Sequence, residues 1–134
     1  MVDVSHKLDR QRTARAEGWL RCRPETVVAL YARALPKGDV LTVAQIAGIQ
    51  AAKRTDELIP LCHSLPLGVV EVEFDVEAAA IHIRASVTTT AKTGVEMEAL
   101  TAVSVAALTL YDMCKAVDKT MQIDNVRVTE KIKQ

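Results

Sequence analysis

Three features of the sequence predict an α+β fold with helices packed on one face of an antiparallel sheet. Two neighbouring stretches, 69–76 and 81–87, alternate apolar and polar residues with a period of two. A proline-free run, 94–119, reads as one long helix. The predicted elements follow one another as β-α-α-β-β-α-β, which is the order of a ferredoxin-like sandwich.

Residues 1–14 are charged and lack a clear period, so they read as a basic arm bearing Lys7, Arg10 and Arg12, with Arg15 just beyond. Such an arm is either ordered on contact or a solvated tail. Residues 14–23 alternate loosely through Ala16, Trp19 or Leu20, and Cys22, and predict a strand. Pro24 sits at an early helical position with Glu25 in the first turn, so a short helix starts there. Val27, Val28, Leu30, Tyr31 and Leu35 form its apolar face. Gly38 and Asp39 punctuate the chain. Asp39 is placed to cap a helix over 40–53, whose apolar positions are Leu41, Ala44, Ile46, Ala47 and Ile49. Thr55-Asp56-Glu57 starts a short turn that stops before Pro60, and residues 61–66 form a proline-bounded loop.

In the first alternating strand Val69, Val72, Phe74 and Val76 mark one face, with a slip in phase near Val70. In the second, Ile81, Ile83, Ala85 and Val87 interleave with His82, Arg84, Ser86 and Thr88. The connector Glu77-Ala78-Ala79-Ala80 carries no Asn-Gly or Asp-Gly signal, which leaves its turn type open. Residues 88–92 lead into the long helix, and 121–131 alternate again through Ile123, Val126 and Val128 as a last strand. There are no repeats and no low-complexity segment.

The long helix is the unusual element. Glu96, Met97 and Glu98 open it, residues 99–110 are almost all Ala, Val, Leu, Thr or Ser, and Asp112, Lys115, Asp118 and Lys119 close it. Acids at the start and lysines at the end suit the helix dipole. A helix that is apolar all round needs cover on more than one side. In a chain of 134 residues, one domain long, the second cover is expected from another subunit.

Composition excludes several classes. Seventeen basic residues balance seventeen acidic ones, so no global field draws in nucleic acid or a membrane. Trp19, Tyr31, Phe74 and Tyr111 are the only aromatics, too few for base-stacking platforms. Cys22, Cys62 and Cys114 are odd in number and widely spaced, fitting neither a disulfide framework nor a zinc pattern. With no apolar signal core near Met1 and no run expected to span a bilayer, the sequence reads as a soluble, cytoplasmic protein in a reducing compartment.

Three places could carry chemistry. In Lys37-Gly38-Asp39 the glycine allows close backbone approach and the lysine suits phosphate, although a helix-initiating turn explains Gly38 and Asp39 without a ligand. In Leu61-Cys62-His63 the imidazole is either a satisfied core group or a neutral ring placed to bind or shuttle a proton. Pairing Cys62 with His63 as a nucleophile is disfavoured, because adjacent residues of an extended loop point apart. His6, His82 and Glu98 could supply further metal ligands to His63, but no pair has ligand spacing. At the end of the long helix Asp112, Lys115 and Lys119 fall on one face. The bland reading is a solvated ion-paired helix end. The functional one is a partly desolvated Asp112 beside a lysine of lowered pKa. Glu98 lies on roughly the same side, fourteen residues earlier and about 21 Å away, so a site using both ends needs more than one subunit.

The strings KGDVLTVAQIAGIQAAKRTDELIPLCHSLPL and TGVEMEALTAVSVAALTLYDMCKAVDK, with the opening MVDVS, closely resemble the cyclic pyranopterin monophosphate synthase family, the molybdenum cofactor biosynthesis protein C family. The resemblance runs over nearly the whole chain. It implies a ferredoxin-like hexamer, a trimer of dimers with active sites between subunits. The implied reaction is conversion of 3′,8-cyclo-7,8-dihydro-GTP to cyclic pyranopterin monophosphate with release of pyrophosphate. By resemblance Asp112, Lys115 and Lys37 are catalytic. Leu61, Cys62, His63, Met97, Glu98, Arg12, Lys53 and Lys131 bind substrate, and Lys7 and Lys92 join the basic residues expected to hold the triphosphate. No resident cofactor is implied, and the sequence gives no indication of magnesium.

Two departures stand out. The family usually carries a glycine- and serine-rich tail with a further lysine after the last strand, whereas here Glu130-Lys131-Ile132-Lys133-Gln134 ends the sequence. Asp124-Asn125 replaces a glycine-containing turn. The alternative from another class is a non-catalytic module for phosphorylated pterins or nucleotides, which would have no need of Asp112 beside Lys115. A nucleic-acid binder is disfavoured by the balanced charge and scarce aromatics.

Overall fold

The computed structural model describes all 134 residues, in the order β1 (Arg10–Arg21), α1 (Pro24–Tyr31), α2 (Val40–Lys53), α3 (Thr55–Leu58), β2 (Leu67–Glu77), β3 (Ala80–Ala91), α4 (Glu96–Cys114) and β4 (Gln122–Lys133). The strands form one fully antiparallel sheet in the order β2-β3-β1-β4. This is the ferredoxin-like sandwich expected from the element order.

The inward set is small and aliphatic. Ala14, Ala16 and Leu20 of β1 and Ile81, Ile83, Ala85 and Val87 of β3 meet Ala99, Ala102, Val103, Ala106 and Leu110 of α4, all buried. Alternate positions of the same strands carry Glu17, His82, Arg84 and Ser86, so strand period two separates core from open face. Gly48 of α2 lies against α4, where a Cβ would sit 3.0 Å from the Ala102 carbonyl oxygen. That close approach lets two helices share a core made largely of alanine.

Several boundaries differ from the sequence reading. β1 starts at Arg10, so the last part of the expected basic arm is strand. Arg10 through Thr13 pair with Ala91 through Thr88 of β3. Those pairings also extend β3 to Ala91, past the point where alternation fades. α4 is shorter than 94–119. Its last turn gives way at Cys114, with Lys115 at the C-cap, so Lys119 does not share a helical face with Asp112. Asp118, expected on that helix, is instead a buried junction. Its carboxylate accepts hydrogen bonds from the Arg23 amide (3.0 Å), the Thr26 hydroxyl (2.7 Å), and the Thr120 amide (2.8 Å) and hydroxyl (2.7 Å). Burial alone would raise its pKa, but these four donors hold it well below the usual range. They also close the start of α1, which has no side-chain cap of its own.

Asn125 has φ 52°, a left-handed backbone that asparagine tolerates. The residue lies where the β1–β4 register slips opposite Gly18, so it serves a β-bulge. The turn between β2 and β3 reduces to Ala78-Ala79, neither at positive φ, so it is not the type I′ hairpin. On α1, Val27 is buried but Val28 and Tyr31 stay exposed, so its apolar face is wider than the part the core covers.

By length and composition alone α4 is apolar enough to cross a membrane, with a mean hydropathy of 1.3. This differs from the expectation that no such run exists. Half of that window is buried against the sheet and α2, as in a core helix.

Candidate active site

The expected site residues gather at the two ends of α4. At the C-terminal end, Lys37 and Lys115 converge on Asp112. Lys115 lies three residues after Asp112 on the last helical turn, and its Nζ reaches Oδ1 at 2.9 Å. Lys37 comes from the α1–α2 connection. Gly38 there takes φ 95°, open to glycine, and Asp39 caps α2 by accepting from the Thr42 amide at 3.2 Å. This turn aims Lys37 back at α4, where its Nζ meets Asp112 Oδ2 at 2.6 Å. Each carboxylate oxygen thus receives one ammonium.

The electrostatics depart from the sequence reading. Asp112 is 50% exposed, not desolvated, because it lies on the outward side of α4 while Leu110, Met113 and Cys114 take the buried side. Hydrogen bonds from Lys115 and then Lys37 pull its pKa down to about 2. The same bond to Asp112 pushes the Lys115 pKa up, where a lowered value was expected. Opposite charge, rather than burial, sets both groups. In the single chain this is a fixed cation–anion–cation arrangement.

At the N-terminal end Glu98 is only 3% exposed, and its Oε2 has no hydrogen-bond partner. Burial pushes its carboxyl above the ordinary 4.5, and the nearby Glu96 and Asp56 add to the shift. Cys62 lies close enough to feel that carboxylate. Burial first and Glu98 second raise its thiol pKa, so the thiolate needed of a nucleophile is disfavoured. Met97 and Leu61 are exposed beside this buried acid. His63 Nε2 lies 2.8 Å from the Val2 carbonyl.

Arg12 donates from Nε to the Ala91 carbonyl (3.4 Å) and from Nη2 to that of Lys92 (3.3 Å). With Lys131 and Lys133 of β4 it lines a cleft of about 270 Å³ that also touches Gly94, Val95 and Glu96. Lys53 closes α2 and is exposed. The sequence reading missed the main-chain carbonyls of Val2 and Ser5 that reach His63 and Lys92. A carbonyl is common to every residue, so no letter signals it.

Fourteen residues of helix, about 21 Å at 1.5 Å per residue, separate the two groups, and they do not meet within one chain. A larger cavity, about 410 Å³, lies on the open face of the sheet between Arg15, Glu17, Glu71 and Arg84 and contains none of the expected residues. Its Arg84 is already paired with Asp75 at 2.9 Å and Glu73 at 3.3 Å. No three His, Cys, Asp or Glu side chains converge in metal-ligand geometry.

Comparison with known proteins gives a consistent result. The model of the MoaC family matches residues 1–133. A cyclic pyranopterin monophosphate synthase of Roseiflexus sp. is 59% identical over 133 residues, covering 98% of this chain and 84% of the relative. One from Corynebacterium efficiens is 57% identical over 131 residues with the same coverage of both chains. A molybdenum cofactor biosynthesis bifunctional protein of Chlorobaculum tepidum is 56% identical over 131 residues, which is 98% of this chain and 42% of that longer protein.

Proposed function

The chain belongs to the MoaC family, and we propose that it is a lyase of molybdenum cofactor biosynthesis, a cyclic pyranopterin monophosphate synthase. In this reading it converts 3′,8-cyclo-7,8-dihydro-GTP to cyclic pyranopterin monophosphate and expels pyrophosphate. The observation that carries the proposal is the near full-length match, 59% identical to a synthase over 133 residues. The charge arrangement at the end of α4 supports it.

The chemistry of that arrangement fits the reaction. Closing a cyclic phosphate builds negative charge on the departing pyrophosphate, and fixed ammonium groups stabilise such charge without reorganising. Lys37 and Lys115 supply two of them, held in place by Asp112. When substrate phosphate approaches, its charge competes with Asp112 for those lysines. The ammonium groups then turn to the phosphate, and Asp112, relieved of the two cations that depress its pKa, regains basicity for proton transfer in the ring rearrangement. Arg12, Lys53 and Lys131, with Lys7 and Lys92, hold the triphosphate in this scheme, while Leu61, Cys62, His63, Met97 and Glu98 line the ring end.

Because one chain keeps its two groups apart, the site is assembled from two copies, in a hexamer built as a trimer of dimers. The outer side of α4 supports this, since Leu108 is 59% exposed and Met97 lies uncovered on the same element. No resident cofactor and a cytoplasmic setting belong to the same reading. The test is release of pyrophosphate from the cyclised dihydro-GTP by the wild type and by Asp112→Ala. Release by the wild type and its loss in the variant are expected. Binding without release in the wild type would favour the non-catalytic module.

A further inference from the structure

Residues 1–9 lie across the N-terminal half of the site, and their geometry has a consequence for His63 and Lys92. The Asp3 Oδ1 accepts from the Ser5 amide at 2.8 Å and the Ser5 hydroxyl at 2.6 Å, and the Lys7 amide donates to the Val4 carbonyl at 3.0 Å. This local turn leaves two carbonyls facing the site. The Val2 carbonyl lies 2.8 Å from His63 Nε2, and the Ser5 carbonyl accepts from Lys92 Nζ at 3.1 Å. The Asp3 carboxylate lies within the field of both Lys92 and His63. The Lys92 carbonyl is in turn held by Arg12, so residues 1–9 (the N-terminal strap), Lys92 and Arg12 form one connected set.

A carbonyl can only accept. The hydrogen between Val2 and His63 therefore sits on Nε2, and in the neutral ring Nδ1 keeps its lone pair. Likewise the Lys92 ammonium gives one of its three N–H groups to Ser5 and keeps two. Each side chain is anchored through one group and left free at the others. We infer that Asp3 is a positioning residue: by shaping this strap it fixes the His63 tautomer and the place of Lys92, leaving Nδ1 and two ammonium hydrogens for the ligand. The inference rests on the reading of His63 and Lys92 as substrate-binding groups.

The test pairs Asp3→Ala with Asp3→Asn, whose amide oxygen still accepts from Ser5. Nitrogen-15 spectra of the three histidine rings, with His63 assigned by His63→Gln, report the tautomer without any turnover. The wild type is expected to show His63 protonated at Nε2 and Asp3→Ala a mixture of tautomers. With the cyclised dihydro-GTP, Asp3→Ala is expected to raise KM about three- to tenfold, the span of one neutral hydrogen bond, at nearly unchanged kcat. Asp3→Asn should restore both readouts. An alanine variant with the wild-type ring pattern and KM overturns the inference, as does an asparagine variant that behaves like alanine. If the wild type shows the Nε2 tautomer yet neither binds nor converts the nucleotide, the proposed function fails while the strap geometry stands.

Discussion

The two ends of α4 each hold a carboxylate, and the chain treats them oppositely. Asp112 stands half in water between two ammonium groups, its pKa drawn down to about 2. Glu98, fourteen residues earlier and only about 40° around the helix, is buried within reach of the charge of Asp56, its Oε2 unpaired and its pKa raised. The helix places both side chains, and the neighbouring elements decide their chemistry. The outward side of the C-terminal end acquires its charge pattern from two ion-paired lysines. The covered end holds an acid that resists ionising. One end of the helix is an exposed cluster of charge, and the other is a buried carboxyl whose pKa is pushed upward.

The sharpest way to break this comparison is Asp112→Ala. Pyrophosphate release should fall about 10²- to 10⁴-fold, the span of a lost acid–base group. The thermal midpoint should hardly move, since exposed ion pairs add little stability. A large drop in melting temperature with activity retained would make the C-terminal end a brace instead of a site. The buried Asp118 gives the contrasting case. Asp118→Ala leaves two hydroxyls and two amides without their acceptor and should cost about 2–4 kcal/mol in denaturant unfolding. Loss of activity there should follow loss of fold.

The proposed assembly of the site from two copies predicts complementation. Asp112→Ala damages one end and Glu98→Gln the other. Refolded together in equal amounts, the two variants should recover about a quarter of wild-type turnover if each site takes one end from each of two chains. No recovery, from two variants each inactive alone, would place both ends of a site in the same chain.

The smallest effects concern pH, and they carry opposite signs at the two ends. Glu98 has a folded pKa above its ordinary 4.5, so the folded chain keeps that proton longer than the unfolded chain. Its contribution to stability therefore falls as pH rises from about 4.5 through the folded value, and Glu98→Gln should remove that slope. Asp112 has a folded pKa below its ordinary 3.8, so its contribution is present above 3.8 and is lost as pH falls toward about 2. Asp112→Asn should flatten that acid limb and leave the slope across the neutral range unchanged. Unfolding curves for both variants across pH 2 to 7 would show whether the two slopes have these signs.

The sequence by itself determined the fold class, the bounds of α2 and the family. Alternation in β2 and β3, the Asp39 cap and the Lys37-Gly38-Asp39 turn are local signals, and local geometry obeyed them. The family motifs were likewise legible as strings. Tertiary structure decided what those residues experience. Burial depends on which distant element lies above a side chain, so Asp112 came out wet and Glu98 dry although both flank one apolar run. The end of α4 depended on Asp118 finding Arg23 and Thr26 from the other side of the chain. β1 began early because Arg10 to Thr13 found partners on β3, a long-range pairing that no local pattern encodes. Sequence spacing fixes the angle at which a side chain leaves its helix or strand, and only the packed fold fixes the dielectric and the partners it meets there.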